Sequence, residues 1–344
     1  PWLTEHFGNP SSNHVYGHVA KDAVVKAREQ VAELIGCMPE EIYFTSGGTE
    51  ANNLAIRGIA SARAERKHIV TSVIEHPATE MPCQYLEAQG YRVSRAGVDG
   101  TGMVRLDAIE SAVSQETALV TIMHANSETG TLQPIRQIAD MAHTHGAVVH
   151  TDAAQTPGRI IFSVDELGVD LLSIVGHKMY APKGIGALYV RKGTDIEPQS
   201  LGGGHERGLR SGTENVPYIV GLGQACAIAL RDGEETIQKI TRLRDQLWAG
   251  LKELIPGVML NGHPDLRLPN TLNVRFPGIS GNALLAATPG IAASTGSACH
   301  AEDESASAVI TAMGLSEAAA LGSVRLTLGR ETTEYDIDMT VKYL

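Results

Sequence analysis

The chain has 344 residues with 43% hydrophobic content, enough to bury the cores of two domains, and only 4% aromatics, so those cores are mainly Ala, Leu, Val and Ile. A formal net charge of −11 argues against a nucleic-acid or anionic-membrane surface, and no apolar run approaches the length of a membrane span. Four cysteines (Cys37, Cys83, Cys226, Cys299) at irregular, distant spacings make neither a disulfide framework nor a zinc site, which points to a reducing, cytoplasmic-type compartment.

Helical and strand periods then alternate along the chain. Ala20, Ala23, Val24, Ala27, Val31, Leu34 and Ile35 recur at helical spacing, and Gly36 supplies the stop. A short strand is predicted over 42–45, and Gly47-Gly48 opens a second helix. Further strands are predicted over 68–73, 118–123, 147–151, 170–175 and 186–191. Helices between them give repeated β-α units, hence a mostly parallel sheet covered on both faces. After the helix containing Cys226, a charged helical stretch over 234–254 reads as a connector. Beyond it, strands over 271–276 and 323–328 suggest a smaller α+β domain. The predicted division is a large domain over 1–230 and a small one over 231–344.

The chemistry gathers where predicted strands end. The apolar run Asp170 to Val175 stops at Gly176 and hands the chain to His177 and Lys178. Carboxyl ends of strands in an α/β sheet are where ligand sites collect. A lysine there, flanked by buried apolar residues, loses its proton cheaply and becomes an amine nucleophile. The neighbouring strand ends in H-T-D-A-A-Q, with Asp152 and Gln155. A lysine and an aspartate at adjacent strand ends are what pyridoxal phosphate requires: one holds the aldehyde as a Schiff base, the other keeps the ring nitrogen protonated. T-S-G-G-T-E (Thr45 to Glu50) fits a phosphate cradle, with Gly48 admitting the anion to backbone N–H groups and Thr49 donating its hydroxyl. In E-H-P-A-T, the flat imidazole of His76 is suited to stack on a pyridine ring and assist proton transfer. Asn126, in a loop after a strand, is a candidate to bind cofactor or substrate, and Arg325 to hold a carboxylate in a bidentate fork. Cys299 sits among small polar residues, S-T-G-S-A-C-H, where a thiol is accessible as a nucleophile, although Glu302, Asp303 and Glu304 oppose thiolate formation. His143 and His145 lie close together, but no acidic or cysteine ligand completes a set, so no metal site is expected.

These motifs together resemble the cysteine desulfurases of the NifS/IscS type, within the class V aminotransferase group of fold-type I pyridoxal-phosphate enzymes. The resemblance runs nearly end to end, through F-G-N-P-S-S, S-G-G-T-E-A-N-N-L, E-H-P-A-T, H-T-D-A-A-Q, G-H-K-M-Y-A-P-K-G-I-G-A-L-Y-V, R-S-G-T-E-N, G-S-A-C-H and R-L-T-L-G-R. It implies an α/β fold with a mostly parallel sheet of the seven-stranded type in the large domain, plus the smaller α+β domain carrying the cysteine loop. It also implies that Lys178 binds the cofactor covalently, Asp152 pairs with the ring nitrogen, Gln155 with the phenolate oxygen, and His76 with the ring face. Thr49, Ser173 and His177 would bind the phosphate, with Thr213 reaching across from the partner subunit of a homodimer. Asn126 and Arg325 would hold the substrate carboxylate. Cys299 would accept sulfur from L-cysteine as a persulfide, leaving L-alanine. The persulfide would pass to an acceptor protein in iron–sulfur cluster assembly, tRNA thiolation or another pathway. Selenocysteine lyase, acting on L-selenocysteine, is the near rival; an aminotransferase and a non-catalytic scaffold are further ones. Ser127 departs from the family's Asn-Asn-Glu turn, and the acidic stretch after Cys299 lacks the usual proline. The family's opening strand and much of its terminal helix have no counterpart, so the chain is expected to be the ordered part of a longer protein.

Overall fold

The computed structural model describes residues 1–296 and 306–344. The chain packs as two compact units: 1–96, 106–124 and 134–233 form the first, and 97–105, 125–133 and 234–344 the second. The sequence boundary at 230/231 therefore needs two corrections. The division falls after Gly233, and two short segments of the earlier chain belong to the later unit. Pairing explains the second point: Val98 bridges Val104, Thr131 bridges Arg267, and the buried Arg267 guanidinium donates to the carbonyls of Thr129 and Thr271.

The first unit opens with α1 (Val15–Ile35), whose apolar positions at helical spacing are buried. Gly36 ends it at φ 68, a left-handed conformation that costs glycine little, and donates its N–H to Ala32. Seven strands follow: β1 (Ile42–Thr45), β2 (His68–Ser72), β3 (Arg92–Ala96), β4 (Thr117–Thr121), β5 (Val148–Asp152), β6 (Leu171–Val175) and β7 (Gly186–Val190). They make one sheet in the order β1-β7-β6-β5-β4-β2-β3. Pairings from β3 through β6 are parallel, while β7 is antiparallel to both β6 and β1. Strands β2, β4, β5, β6 and β7 are buried throughout, as their near-continuous apolar runs predict for a sheet covered on both faces. The connecting helices are α2 (Gly48–Ala62), α3 (Pro77–Ala88), α4 (Leu106–Ala112), α5 (Ile135–Thr144) and α6 (Val164–Leu167). Ile56, Ile59 and Leu54 of α2 share a core with Ile69, Leu119, Leu171 and Leu188 of the sheet.

The predicted connector is part of something longer. Residues 216–254 form one helix, α7 (Val216–Leu254), with the unit division inside it. In the second unit, β8 (Met259–Asn261), β9 (Thr271–Arg275) and β10 (Ser323–Thr327) form an antiparallel sheet in the order β10-β9-β8. Leu243, Leu247 and Leu251 of α7, one helical turn apart, pack with Leu272, Val274 and Val324 of that sheet. Short helices α8 (Gly281–Ala287), α9 (Ala308–Ala312) and α10 (Glu317–Leu321), then α11 (Glu334–Tyr343), complete the unit.

Candidate functional site

In the first unit the candidate residues follow the carboxyl ends of neighbouring parallel strands. Asp152 is the last residue of β5, Lys178 lies in the turn just after β6, and His76 caps the helix after β2. Asp152 is 8% exposed, and its carboxylate is held from two sides. Ala154 N–H donates to Oδ1 at 2.9 Å, and the side-chain amide of Asn52 donates to Oδ2 at 2.7 Å.

His76 is the N-cap of α3, its Nδ1 accepting from Ala78 N–H at 3.0 Å. That bond fixes the neutral tautomer with the proton on Nε2. Burial, ahead of the lysine charge of Lys178, lowers the imidazole pKa, while Asp152 works against them. His76 is therefore a neutral ring presenting an Nε2–H donor. Beside it, the Glu75 carboxyl accepts from the Ser72 hydroxyl and from Met123 N–H. Burial pushes its pKa up to about 8, so it is largely protonated at neutral pH and adds little anionic charge next to Asp152.

Lys178 occupies a 3₁₀ turn over Gly176–Met179 that ends at Tyr180 with φ 65. Gly176 is required there, because a Cβ would lie 2.8 Å from the Ile185 carbonyl oxygen. Lys178 itself is exposed, while its apolar flanks, Val175 and Met179, are buried. Arg159 ties this turn to Gln155, donating to the Lys178 carbonyl and to both the side chain and the carbonyl of Gln155, each at 3.0 Å. His177 is exposed, and its pKa is lowered by partial burial and by the nearby charges of Lys178 and Lys183.

Gly47, the N-cap of α2, provides no capping side chain. At Gly48 a Cβ would fall 2.4 Å from Val175 Cγ2, so only glycine fits against the end of β6. Thr49 is exposed in the first helical turn, and Thr213 is exposed after Gly212, which holds φ 100. Ser173 is the correction at this site. It is fully buried within β6, and its hydroxyl pairs with His150 Nε2 at 3.0 Å, so the β6 residue beside Gly48 is Val175 instead.

The second unit holds the other two described candidates. Asn126 is buried, and its side-chain carbonyl accepts from the N–H groups of Glu128 and Thr129, both at 2.9 Å, so it shapes the turn as well as offering an amide. Arg325 on β10 donates a guanidinium N–H to the Ser127 carbonyl at 2.9 Å, while its Nε is buried without a hydrogen-bond partner among the described residues. Burial lowers its pKa against the opposing charge of Glu128. The substituted Ser127 is thus used through its backbone. Cys299 lies outside the described residues. Among the described residues no group of three or more His, Cys, Asp or Glu is placed to hold a metal, and no helix is long and apolar enough to cross a membrane.

Asn52 and Arg159 escaped the sequence reading. Each orients a candidate residue; Asn52 lies inside S-G-G-T-E-A-N-N-L, where its residue type alone assigns it no role, and Arg159 belongs to no quoted motif. The only signal was spacing: Asn52 lies one turn into α2 from the glycine pair, and Arg159 four residues beyond Gln155.

A lysine turn, an aspartate at the next strand end and a glycine-lined helix start on a doubly covered sheet define an α/β group-transfer enzyme. The aminotransferase class-V family model matches residues 1–340, and the chain belongs to that family. It is 48% identical to a cysteine desulfurase of Trichormus azollae, covering 100% of this chain and 86% of that relative. It is 45% identical to the cysteine desulfurase IscS of Dictyoglomus turgidum, covering 100% of this chain and 88% of that one. A solved structure of a NifS-like protein superposes with a TM-score of 0.92 at 39% identity, covering 99% of this chain and 91% of the other. Class-V aminotransferases and cysteine desulfurases, as families, depend on pyridoxal phosphate.

Proposed function

We propose that this chain is a cysteine desulfurase that binds pyridoxal phosphate, takes sulfur from L-cysteine and leaves L-alanine. The observation that carries the reading is the convergence, within one compact unit, of the Asp152 carboxylate, the capped His76 imidazole and the turn bearing Lys178. The 48% identity to a named cysteine desulfurase gives that constellation its substrate.

The residues fit the cofactor. A carboxylate held by two N–H donors suits a protonated ring nitrogen, and the α2 start, with no room for a Cβ at Gly48, suits a phosphate approaching backbone N–H groups. Lys178, Asp152, Gln155, His76, Gly48, Thr49 and His177 would hold the group, with Thr213 of the partner subunit completing the phosphate site in a homodimer. When bound, pyridoxal phosphate supplies an electron sink for the substrate's α-carbon.

The chain's own residues divide the remaining work. His76 Nδ1 already accepts a backbone N–H, so abstraction of the α-proton falls to the amine of Lys178 and His76 Nε2–H acts as a donor. Asn126 and Arg325 hold the substrate carboxylate. The Cys299 thiolate attacks the substrate's sulfur: an S–S bond forms, the C–S bond breaks, and its electron pair stays with the carbon fragment. Protonation of that carbon gives alanine, and the Cys299 persulfide passes to a sulfur-acceptor protein. A cytoplasmic-type compartment belongs to the same proposal, on cysteine usage alone.

The test is release of sulfide and alanine from L-cysteine and from L-selenocysteine, before and after Cys299→Ala. Equal release of sulfide and alanine from L-cysteine is expected, falling to background in the variant while cofactor binding survives. A keto acid product would make the protein an aminotransferase. Turnover that survives the substitution only with selenocysteine would make it a selenocysteine lyase.

A further inference from the structure

Asn52 is fully buried on α2, and its amide joins two groups that the proposed chemistry uses. Nδ2 donates to Asp152 Oδ2 at 2.7 Å and to Thr79 Oγ1 at 3.2 Å. Thr79 is itself fully buried in the first turn of α3, the helix that His76 caps. One side chain thus links the strand end bearing the aspartate to the helix start bearing the imidazole.

The other half of the amide is the informative part. Asn52 Oδ1 is buried with no hydrogen-bond partner among the described residues. A buried acceptor without a donor is costly, and native proteins keep few of them. Turning the amide over would not relieve it, because the carbonyl would then face the Asp152 carboxylate and lose the charge-assisted bond. The orphaned carbonyl persists because both N–H groups are committed on the other side. A donor fixed on Asp152 Oδ2 holds the carboxylate in place and orients its remaining lone pairs.

We propose that Asn52 is a positioning residue for the reaction: its amide aims the Asp152 carboxylate and locks it to the helix that carries His76. This rests on the reading of Asp152 as the partner of the pyridoxal ring nitrogen. Asn52 touches neither substrate nor cofactor in this role and acts through Asp152.

The holoenzyme tests it with Asn52→Leu, and with Asn52→Ala should the larger side chain prevent folding. The readouts are kcat and KM for L-cysteine, the pH at which the bound cofactor's visible absorbance changes, and the thermal midpoint of the cofactor-free protein. The expected loss is roughly 10- to 100-fold in kcat, the scale known for groups that orient a functional ligand, with KM little changed. The spectral midpoint should move, while thermal stability changes little, because the variant loses one orphaned acceptor, Asn52 Oδ1, and gains another, Asp152 Oδ2. On an Asp152→Asn background the same substitution should cost nothing further, since its route of action is already removed. A wild-type spectral midpoint and kcat in the variant, or a loss that adds in full to that of Asp152→Asn, overturns the role of Asn52 alone. A wild-type protein that binds no pyridoxal phosphate overturns the functional reading, and this inference with it.

Discussion

At the scale of single residues, burial keeps the two titratable neighbours that precede α3, Glu75 and His76, neutral. Glu75 is pushed up to about 8 by burial, and His76 is lowered by burial and held as a neutral N-cap. Asp152→Asn is nearly isosteric and tests the carboxylate alone. The new amide can still meet Ala154 N–H, and Asn52 can turn its orphaned carbonyl toward the new donor, so folding and cofactor binding should survive. Sulfide release should fall by about 10³-fold or more, the scale of losing a preorganised charge at a reacting centre. Turnover near the wild-type rate would show that Asp152 does not pair with the ring. The residue scale is also where sequence reading went furthest and erred once. Lys178, Asp152 and His76 stand out as candidates in the sequence because each lies at or just after the end of an apolar strand. Ser173 was misplaced because a serine inside such a strand looks the same whether its hydroxyl faces a ligand or a neighbouring strand. Here it faces His150, and a valine, Val175, stands beside Gly48.

At the scale of elements, the edge strand β1 shows how side chains finish a sheet. Its outer backbone groups would be open to pairing with another chain. Instead, Phe44 N–H donates to Glu206 Oε2 at 2.9 Å, and the Ile42 carbonyl accepts from Arg28 and Arg207, both at 2.6 Å. Arg28 and Glu206 form a two-pronged pair at 2.8 Å, with Glu206 6% exposed, and the Arg28 guanidinium lies 4.6 Å from the centre of the Phe44 ring. Glu206 makes these bonds from a left-handed backbone, φ 45, which a non-glycine residue holds only against strain. Glu206→Ala leaves the Arg28 charge without its partner and strips β1 of an edge acceptor. It should lower unfolding stability by about 3 to 5 kcal/mol, the cost of breaking a buried pair. A urea midpoint that does not move would show that the pair contributes nothing to holding the edge. None of this was readable in advance, since Arg28 and Glu206 are 178 residues apart and neither belongs to a motif. Strand β3 was missed for a related reason: Arg92-Val-Ser-Arg-Ala is a partly exposed edge and lacks the apolar run that marked its neighbours. The interior strands are legible because burial on both faces favours apolar residues, with the few polar ones paired to one another.

At the scale of the whole molecule, two compact units were foreseen from the change of pattern after the Cys226 helix, but not the two early segments that pack with the later unit. Their assignment depends on pairings such as Thr131 with Arg267, which no local pattern announces. The larger unit carries a property that belongs to the sheet as a body. Three of its histidines are buried as neutral rings between hydroxyls. His68 lies between Thr117 and Ser94, His150 between Thr121 and Ser173, and His124 against Thr156. Burial lowers their pKa values to about 4, about 3 and about 4 respectively. The unfolded chain takes up these protons near pH 6.5 and the folded one does not. Their stabilising contribution is therefore full above 6.5 and is withdrawn as pH falls toward 4. Glu75 opposes them, because its raised pKa makes the folded state bind a proton that the unfolded state releases above about 4.5. His143, raised mainly by its bond to Asp170, adds no slope below 6.5, where both states hold its proton. These three histidines against one glutamate leave a net loss of roughly 2 kcal/mol between pH 6 and pH 5, at about 1.4 kcal/mol per proton and pH unit, and the lowered His76 and His177 act in the same direction. Urea unfolding of the cofactor-free protein should accordingly show its midpoint falling across that interval, well before general acid denaturation. Imidazole resonances should show these three rings still neutral at pH 5 in the folded state. A midpoint unchanged from pH 6.5 to pH 5, or a His150 ring that titrates near 6.5 without unfolding, would mean that the sheet does not hold its histidines neutral.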